Sequence, residues 1–459
     1  MPAANKRWNL VIITADDLNG DSTGWMGSKV GATPHLDAFA ATCHQFRNCH
    51  VVTPLCQPSR SALMTGRLPH RNGALSFEPI RADVTTLTEL MNRHGYFTAA
   101  INKIQHMMPR QKFDWDIALE GSGKNPKALR EHFEQCITAA AEREKPFFIN
   151  ANSTDPHRPF PGSGSVTEKD RDSSAPPRIF NESKIFVPPF LEDLPAVREE
   201  MAQYFSAVAR LDESFGELVA ALTAAGELDN TIIVFLSDHG MSMPYSKSSL
   251  YRNATWSPVL LWFPGTERPI ANTEMVSSVD IMPTILDLLG LEKPDGLDGN
   301  SWRPLLQGAN EQGRDYVFTQ LNALKSGKSF PSRCVRSRTR AYIWNPWADG
   351  RRRFGSGTIG NRGSWQAMIE AGARDPELKS RVEHFVYRRP EEFYDEEKDP
   401  DERCNLIDDP NHQTEIAQMK TLLLAHMEKT DDPLTAEFRR VQKAAPNGFF
   451  SRWRARRGR

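Results

Sequence analysis

Four short apolar runs in this chain each end in side chains that can do chemistry. Residues 8–15 are followed by Asp16 and Asp17, residues 97–102 by Lys103, residues 146–151 by Asp155 and His157, and residues 231–236 by Asp238 and His239. Carboxylates ligate hard divalent cations, and a histidine can donate a hydrogen bond and act as a general acid near neutral pH. A further segment supplies a candidate nucleophile, Cys56, in the run Cys56-Gln57-Pro58-Ser59-Arg60-Ser61-Ala62-Leu63-Met64-Thr65-Gly66. Taken singly, each residue also has a plain reading. A lone cysteine is commonly a buried structural thiol, two adjacent aspartates suit a strand-to-loop turn, and Lys103, His106, His157 and Lys247 would pass as ordinary loop or surface residues.

What joins them is the pattern of elements. Short apolar runs alternating with longer helical patterns predict an α/β sheet with crossover helices. In open α/β sheets ligands bind beyond the carboxyl ends of the strands, so four strands delivering polar groups there predict one shared site. Residues 198–225 repeat Met201, Tyr204, Phe205, Val208, Leu211, Phe215, Leu218 and Leu222 at helical spacing and predict a covering helix. Residues 59–68 read as a helix behind Cys56. Residues 162–185, rich in Gly, Ser, Pro and charge, read as an irregular excursion able to line a cleft. Beyond residue 308 the pattern turns to shorter strands at 316–319 and 341–344 and a helix at 414–428. This puts a domain boundary near residue 310, between residues 1–310 and 311–459, with a basic tail at 452–459.

Composition narrows the function classes. A chain of 459 residues has room for one large core and a smaller companion. With 57 basic and 58 acidic residues, no global field draws it to nucleic acid or a membrane surface, so any anion site is local. No apolar stretch is long enough to span a bilayer. The first residues lack the apolar run of a signal peptide, and six cysteines without C-x-x-C spacing are too sparse for a disulfide framework. A soluble, cytoplasmic protein with reduced thiols is the expectation.

The run at Cys56 resembles the maturation signature of the formylglycine sulfatases, C-x-P-S-R-x-x-L-x-T-G, in which a maturation enzyme oxidises the cysteine to an aldehyde; every fixed position is filled. The resemblance implies an alkaline-phosphatase-like α/β fold with a large, mixed, mostly parallel sheet and a small C-terminal subdomain with an antiparallel sheet. It implies one calcium ion held by Asp16, Asp17, Cys56, Asp238 and His239. It also implies that Arg60 holds the hydrated aldehyde, that Lys103 binds sulfate, that His106 assists turnover of the formylglycine, that His157 serves the leaving group and that Lys247 contacts the bridging oxygen. A sulfate ester is a poor electrophile for an unactivated thiol, whereas a hydrated aldehyde offers one hydroxyl to attack sulfur and a second to expel sulfate. Free N–H groups at the start of the helix behind the nucleophile would favour the anion.

Further matches extend the likeness. Asp155-Pro156-His157-Arg158-Pro159-Phe160 matches the family's Pro-His-x-Pro-Phe element. Thr33-Pro34-His35-Leu36-Asp37 matches a helix start at which Thr33 could cap, and residues 279–285 and 392–406 match structural segments nearer the C-terminus. Residues 204–251 most resemble the heparan N-sulfatase group. There are departures: Asn102 stands where the family usually has glycine, Lys103 and His106 have the longer of two spacings, and His239 and Lys247 replace that group's Asn and Arg. Sugar contacts would come from residues 162–185 and from Arg336, Arg338 and Arg340, unless those arginines are plain solvated charges. The resulting expectation is hydrolysis of a sulfate ester or sulfamate, on a saccharide. Two alternatives stay open: a phosphonate or phosphate diester hydrolase using the same formylglycine, and a non-catalytic binder of sulfated glycans.

Overall fold

β1 (Asn9–Asp16) is buried along its whole length and divides its side chains between two apolar layers, Leu10 and Ile12 entering one and Val11, Ile13 and Ala15 the other. A strand covered on both faces reads as an unbroken apolar run, which is why its sequence shows no polar alternation. The structure is a computed structural model describing residues 7–164, 173–266, 269–308, 314–356 and 363–443. In it β1 lies inside a nine-stranded sheet. The other strands are β2 (His44–His50), β3 (Phe97–Ile101), β4 (Ile117–Leu119), β5 (Phe147–Pro156), β6 (Thr231–Ser237), β7 (Trp256–Trp262), β8 (Ala271–Asn272) and β9 (Val276–Ser277). Their order is β4-β3-β5-β1-β6-β7-β2-β8, with β9 also paired to β2. From β4 to β6 all neighbours are parallel, and β7 runs antiparallel to β6 and β2. The carboxyl ends of β1, β3, β5 and β6 therefore share one edge, as their polar sequels require.

Helices cover both faces. The layers contain α1 (Pro34–Ala40), α2 (Cys56–Thr65), α3 (Pro126–Glu142), α4 (Pro195–Ala224) and α5 (Ile281–Leu289). α4 buries Met201, Tyr204, Phe205, Val208, Leu211, Phe215, Leu218 and Leu222 in the layer of Val11 and Ile13, as its periodicity predicts. Each such side chain contributes about 1.5–3 kcal/mol on burial. On the opposite face Leu63 and Met64 of α2 pack with Ile281, Met282, Ile285 and Leu286 of α5.

Two local expectations are corrected. α2 starts at Cys56 and not at residue 59: Leu55 is extended, Pro58 sits in the first turn, where its missing N–H has no intrahelical acceptor, and Gly66 ends the helix with φ 60°. Thr33 makes no side-chain cap. Its hydroxyl instead accepts from Gly24 N (2.9 Å) and donates to Asp37 Oδ1 (3.1 Å), while Asp212 of α4 accepts from the amides of His35 (2.9 Å) and Leu36 (2.8 Å).

A separate four-stranded antiparallel sheet follows, in the order β10 (Val317–Ala323), β11 (Ser329–Arg336), β12 (Arg340–Trp344) and β13 (Glu391–Asp395). It is accompanied by α6 (Gly363–Gly372), α7 (Pro376–Tyr387) and α8 (Gln413–Lys429). One face packs Tyr342, Trp344 and Phe393 against Ile416, Leu423 and Met427 of α8. The other sends Leu321, Cys334, Ile343 and Tyr394 into the same apolar layer as α4, so the two sheets share a core. The boundary expected near residue 310, part of the 162–185 excursion and the 452–459 tail lie outside the described residues. Arg336 is not a sugar contact: it is wholly buried, pairs with Glu396 and Glu402, and donates to Leu250 O (2.9 Å). Arg340 is engaged by Asp395 (2.7 Å) and Glu415 (3.2 Å). No helix among the described residues is long and apolar enough to cross a membrane.

α4 is tied to the carboxyl end of β5 by a buried bidentate pair, Arg210 Nε and Nη2 donating to Asp155 at 2.6 and 2.8 Å. Removing one partner strands a buried charge, so Arg210→Leu should destabilise the protein by about 3–5 kcal/mol in urea unfolding. Adding Asp155→Asn should return part of that loss.

Candidate active site

Cys56 is the first residue of α2, which aims it at the edge where the parallel strands end. It is 4% exposed. Its Sγ lies 3.2 Å from His239 Nε2, 3.3 Å from Lys247 Nζ and 3.5 Å from Asp16 Oδ1. One ligand atom each from Asp16, Cys56, Asp238 and His239 falls within 4.8 Å of all the others. Asp17 stands beside this group: its Oδ1 accepts from Lys247 Nζ at 2.6 Å and lies 3.5 Å from His239 Nδ1. Neighbouring residues of a strand point to opposite faces; φ of 73° at Asp17 breaks that alternation and keeps both carboxylates at the site.

Arg60, one turn beyond Cys56, holds the far side. Its Nη2 lies 2.9 Å and its Nε 3.1 Å from Asp238 Oδ2, and Nη1 donates to Thr14 Oγ1 (2.8 Å) and Asn152 Oδ1 (2.6 Å). Ser59 Oγ adds a bond to Asp238 O (2.7 Å). Thr14 and Asn152 are direct neighbours across β1 and β5. Asn152 also donates to Ile101 O (3.0 Å) and Asn102 O (3.1 Å), so one amide braces three strand ends. Sequence reasoning missed Thr14 and Asn152; the available signal was a polar residue persisting inside or just beyond an apolar run.

Lys103 pairs with Asp16 Oδ2, both groups buried. Asn102 and Lys103 have φ of 59° and 55°. Glycine adopts that left-handed region freely and asparagine tolerates it, which accounts for Asn102 at a position where glycine is usual. His106 follows in the turn Ile104–His106, with Nδ1 buried and unpartnered. His157 Nδ1 donates to Arg158 O (2.5 Å) and His239 Nδ1 to Gly240 O (3.0 Å), which turns the Nε2 of His239 to Cys56 Sγ. Arg158 pairs with Glu200 of α4 at 2.9 Å, and Gly240 admits no side chain because a Cβ there would lie 1.8 Å from Asn253 O.

The electrostatics follow from burying these charges together. Burial alone would raise Asp16, but Lys103, then His157 and Arg60, pull it well below the usual carboxylate range. Burial likewise opposes ionisation of Asp17, but Lys247, His157 and His239 together lower it. Asp238 is raised, burial exceeding the help of His239 and Arg60. Burial pushes the Cys56 thiol up despite Lys247, so it is held un-ionised. Burial, with Lys103 and Arg60, drives His106 down to about 2; burial drives His157 down to about 4 against the opposing pull of Asp17 and Asp16. Both rings are neutral at neutral pH.

This donor set fits a divalent cation: three buried carboxylates, an imidazole presenting its lone pair, and Asp17 Oδ2 buried without a hydrogen-bond partner. Lys103 and Lys247 flank this group, and with a cation on the carboxylates their charge would suit an anion.

The comparisons with known proteins point to one family. The model of the family described as Sulfatase matches residues 8–291. The chain is 28% identical over 474 residues to N-sulphoglucosamine sulphohydrolase of Homo sapiens, covering 93% of this chain and 91% of that one. It is 27% identical over 464 residues to an ulvan-active sulfatase of Formosa agariphila, covering 97% and 85%. Among solved structures, a 2-O GAG sulfatase superposes with a TM-score of 0.69 at 23% identity, covering 94% of each chain. A second, solved with its substrate D-glucosamine-2-N,6-O-disulfate, has a TM-score of 0.69 at 18% identity, covering 93% of this chain and 99% of that one.

Two outcomes follow. Titrating a divalent cation into chelator-treated protein should stabilise it by mass action, by about 2.7 kcal/mol at a hundredfold excess over Kd, and so raise the melting temperature; Asp238→Asn and His239→Ala should abolish the rise. In chelator-treated protein His106 takes up no proton until about pH 2 when folded, whereas unfolded it binds one near about pH 6.5. Its contribution is therefore complete above the unfolded value and lost as pH falls. Chemical denaturation should show His106→Gln losing about 2 kcal/mol less than wild type between about pH 7 and pH 5.

Proposed function

This chain belongs to the sulfatase family, and from that premise we propose that it hydrolyses a sulfate ester or sulfamate on a saccharide, with Cys56 converted to formylglycine and calcium as the metal. The observation that carries the reading is the position of Cys56: in one buried contact set with Asp16, His239 and Lys247, inside a complete maturation signature. Relatives named N-sulphoglucosamine sulphohydrolase and ulvan-active sulfatase support a sulfated saccharide as substrate, as does the neighbouring structure holding a disulfated glucosamine.

As formylglycine hydrate, residue 56 supplies one hydroxyl to attack sulfur and another to expel sulfate. Calcium, held by Asp16, Asp17, Asp238 and His239 with residue 56, would supply positive charge to polarise the sulfuryl oxygens. The remaining work falls to the chain's own side chains. Lys103 and Lys247 bring fixed positive charge to the sulfate oxygens, Lys247 on the side of the bridging atom. Arg60 orients Asp238 through two contacts and so sets the cradle behind residue 56. An arriving sulfate adds negative charge to that of Asp16 and Asp17, which acts to raise the His157 pKa and to place a proton on Nε2 for the leaving atom. His106, with Nδ1 buried and unpartnered, is kept neutral by burial with Lys103 and Arg60, and its part in turnover of the formylglycine is the one the family resemblance assigns to it.

The test is peptide mass spectrometry across residues 55–60 after co-expression with a maturation enzyme, paired with aryl sulfate hydrolysis. The formylglycine mass should appear in wild type and vanish with all turnover in Cys56→Ala. Lys247→Ala should retain the modification and lose about 10²–10³ in kcat/KM. Unmodified cysteine, under conditions that mature a control sulfatase, would sink the reading.

A further inference from the structure

The β10–β11 hairpin belongs to the C-terminal sheet, yet it reaches the rim of the site on the large sheet. It is anchored close to the nucleophile: Gln320 N donates to Val52 O at 2.8 Å, just ahead of Cys56, and Gln320 Oε1 meets His70 Nδ1 at 2.8 Å. From there β10 runs outward to a turn closed by Leu324 N to Lys328 O (2.9 Å) and Gly327 N to Leu324 O (2.8 Å). Lys325, exposed in that turn, carries its Nζ 5.3 Å from the centre of the Phe77 ring. Phe77 in turn sets its ring edge-on to His106, centroids 5.6 Å apart. The Phe77 segment is fastened to the first turn of α2 by Gln57 Nε2 donating to Glu78 O (2.8 Å). Two contacts, Lys325 to Phe77 and Phe77 to His106, thus lead from solvent to the reaction centre.

The chemistry of this rim is specific. An ammonium resting near an aromatic ring, with no carboxylate among the described residues paired to it, keeps its N–H donors for an anion. Glu78, the acid next to Phe77 in sequence, accepts from Ser76 N (2.7 Å). Asn322, on the same strand as Gln320, buries an Nδ2 that has no partner, and His106 Nδ1 is unpartnered beside Phe77. Buried polar atoms without partners are uncommon in folded proteins and mark places where a ligand atom can complete them. Phe77 is partly exposed between Lys325 and His106 and offers apolar surface to the C–H side of a sugar ring.

We propose that Lys325, seated on Phe77, forms a subsite for a second anionic substituent of the saccharide, a sulfate or a carboxylate on the ring that loses sulfate or on its neighbour. The inference rests on the sulfatase reading above. It divides the labour between the sheets: the large sheet cleaves, and the C-terminal hairpin selects for a doubly charged substrate.

Matured wild type and Lys325→Ala are compared on an aryl sulfate, a disulfated monosaccharide and a monosulfated disaccharide bearing a uronate. Loss of one charge-assisted contact at an exposed rim should raise KM for at least one doubly anionic saccharide about fivefold to tenfold, leaving kcat nearly unchanged. The aryl sulfate should stay within about twofold. Lys325→Arg should keep most of the preference, Lys325→Glu should worsen it, and added salt should raise the saccharide KM in wild type more than in Lys325→Ala. Whichever saccharide responds tells sulfate from carboxylate. Equal effects on all three substrates, or none on either saccharide, would overturn the subsite while leaving the sulfatase reading intact. Matured wild type that hydrolyses no sulfate at all would overturn that reading, and the subsite with it.

Discussion

Three carboxylates buried at one sheet edge cannot coexist without compensating charge, and much of this structure is the supply of that charge. Asp16, Asp17 and Asp238 are each almost wholly hidden from solvent. Lys103 answers Asp16, Lys247 answers Asp17, and Arg60 answers Asp238, each cation from a different segment of the chain. A buried charge left unpaired costs several kcal/mol, so the loops bearing these cations are held in register by the acids as firmly as the acids are held by the strands. The same balance explains why the centre attracts an anion: a divalent cation bound by the carboxylates would leave the lysine charge to face whatever enters.

The segment carrying Lys247 also depends on the C-terminal sheet. Tyr245 and Ser248, on either side of Lys247, both have φ in the left-handed region, at 60° and 69°. A non-glycine residue held there costs of order 1–3 kcal/mol and persists only where its surroundings over-determine it. Besides Pro54, whose carbonyl accepts from Ser248 N (3.1 Å), those surroundings include residues beyond 316. Tyr245 Oη donates to Arg381 O, Ser248 Oγ lies 3.2 Å from Ser356 Oγ, and Arg336 donates to Leu250 O. Tyr251 Oη donates to Glu392 Oε2 at 3.0 Å, an oxygen that also accepts from Tyr394 (2.6 Å), while Asn345 donates to Oε1 (2.8 Å). The small sheet is therefore part of the active-site scaffold, which is why its inner face merges with the main core.

Chemistry borne by contiguous residues was legible in the sequence, and contacts between distant segments were not. Asp16, Cys56, Asp238 and His239 converge because each follows or opens an element whose type the apolar pattern declares, and parallel strands deliver their ends to one edge. Arg336 illustrates the failure: in sequence it is one of three arginines on a strand, and only the folding of Glu396 and Glu402 over it shows that it is buried. Asn152 was hidden for the opposite reason, since its role lies in the side-by-side register of β1 and β5, which no local pattern encodes. The start of α2 was misjudged because capping geometry at Leu55 decides it, and that depends on where the preceding loop is pinned.

The α2 start matters for the chemistry. With Cys56 as the first helical residue, the unsatisfied amides of the first turn lie at the proposed nucleophile and not behind it, and their partial positive charge adds to that of Lys247. Even so, burial holds the thiol protonated, and a protonated thiol is a weak nucleophile. Positive surroundings of this strength would be expected to lower a thiol's pKa, yet Asp16 and Asp238 stand close enough to oppose a second negative charge there. The arrangement is thus poorly matched to a thiolate and well matched to a neutral oxygen nucleophile that can share the carboxylates' cation. The acids that would hold the metal also disfavour a thiolate, adding to the burial that keeps the Cys56 thiol protonated.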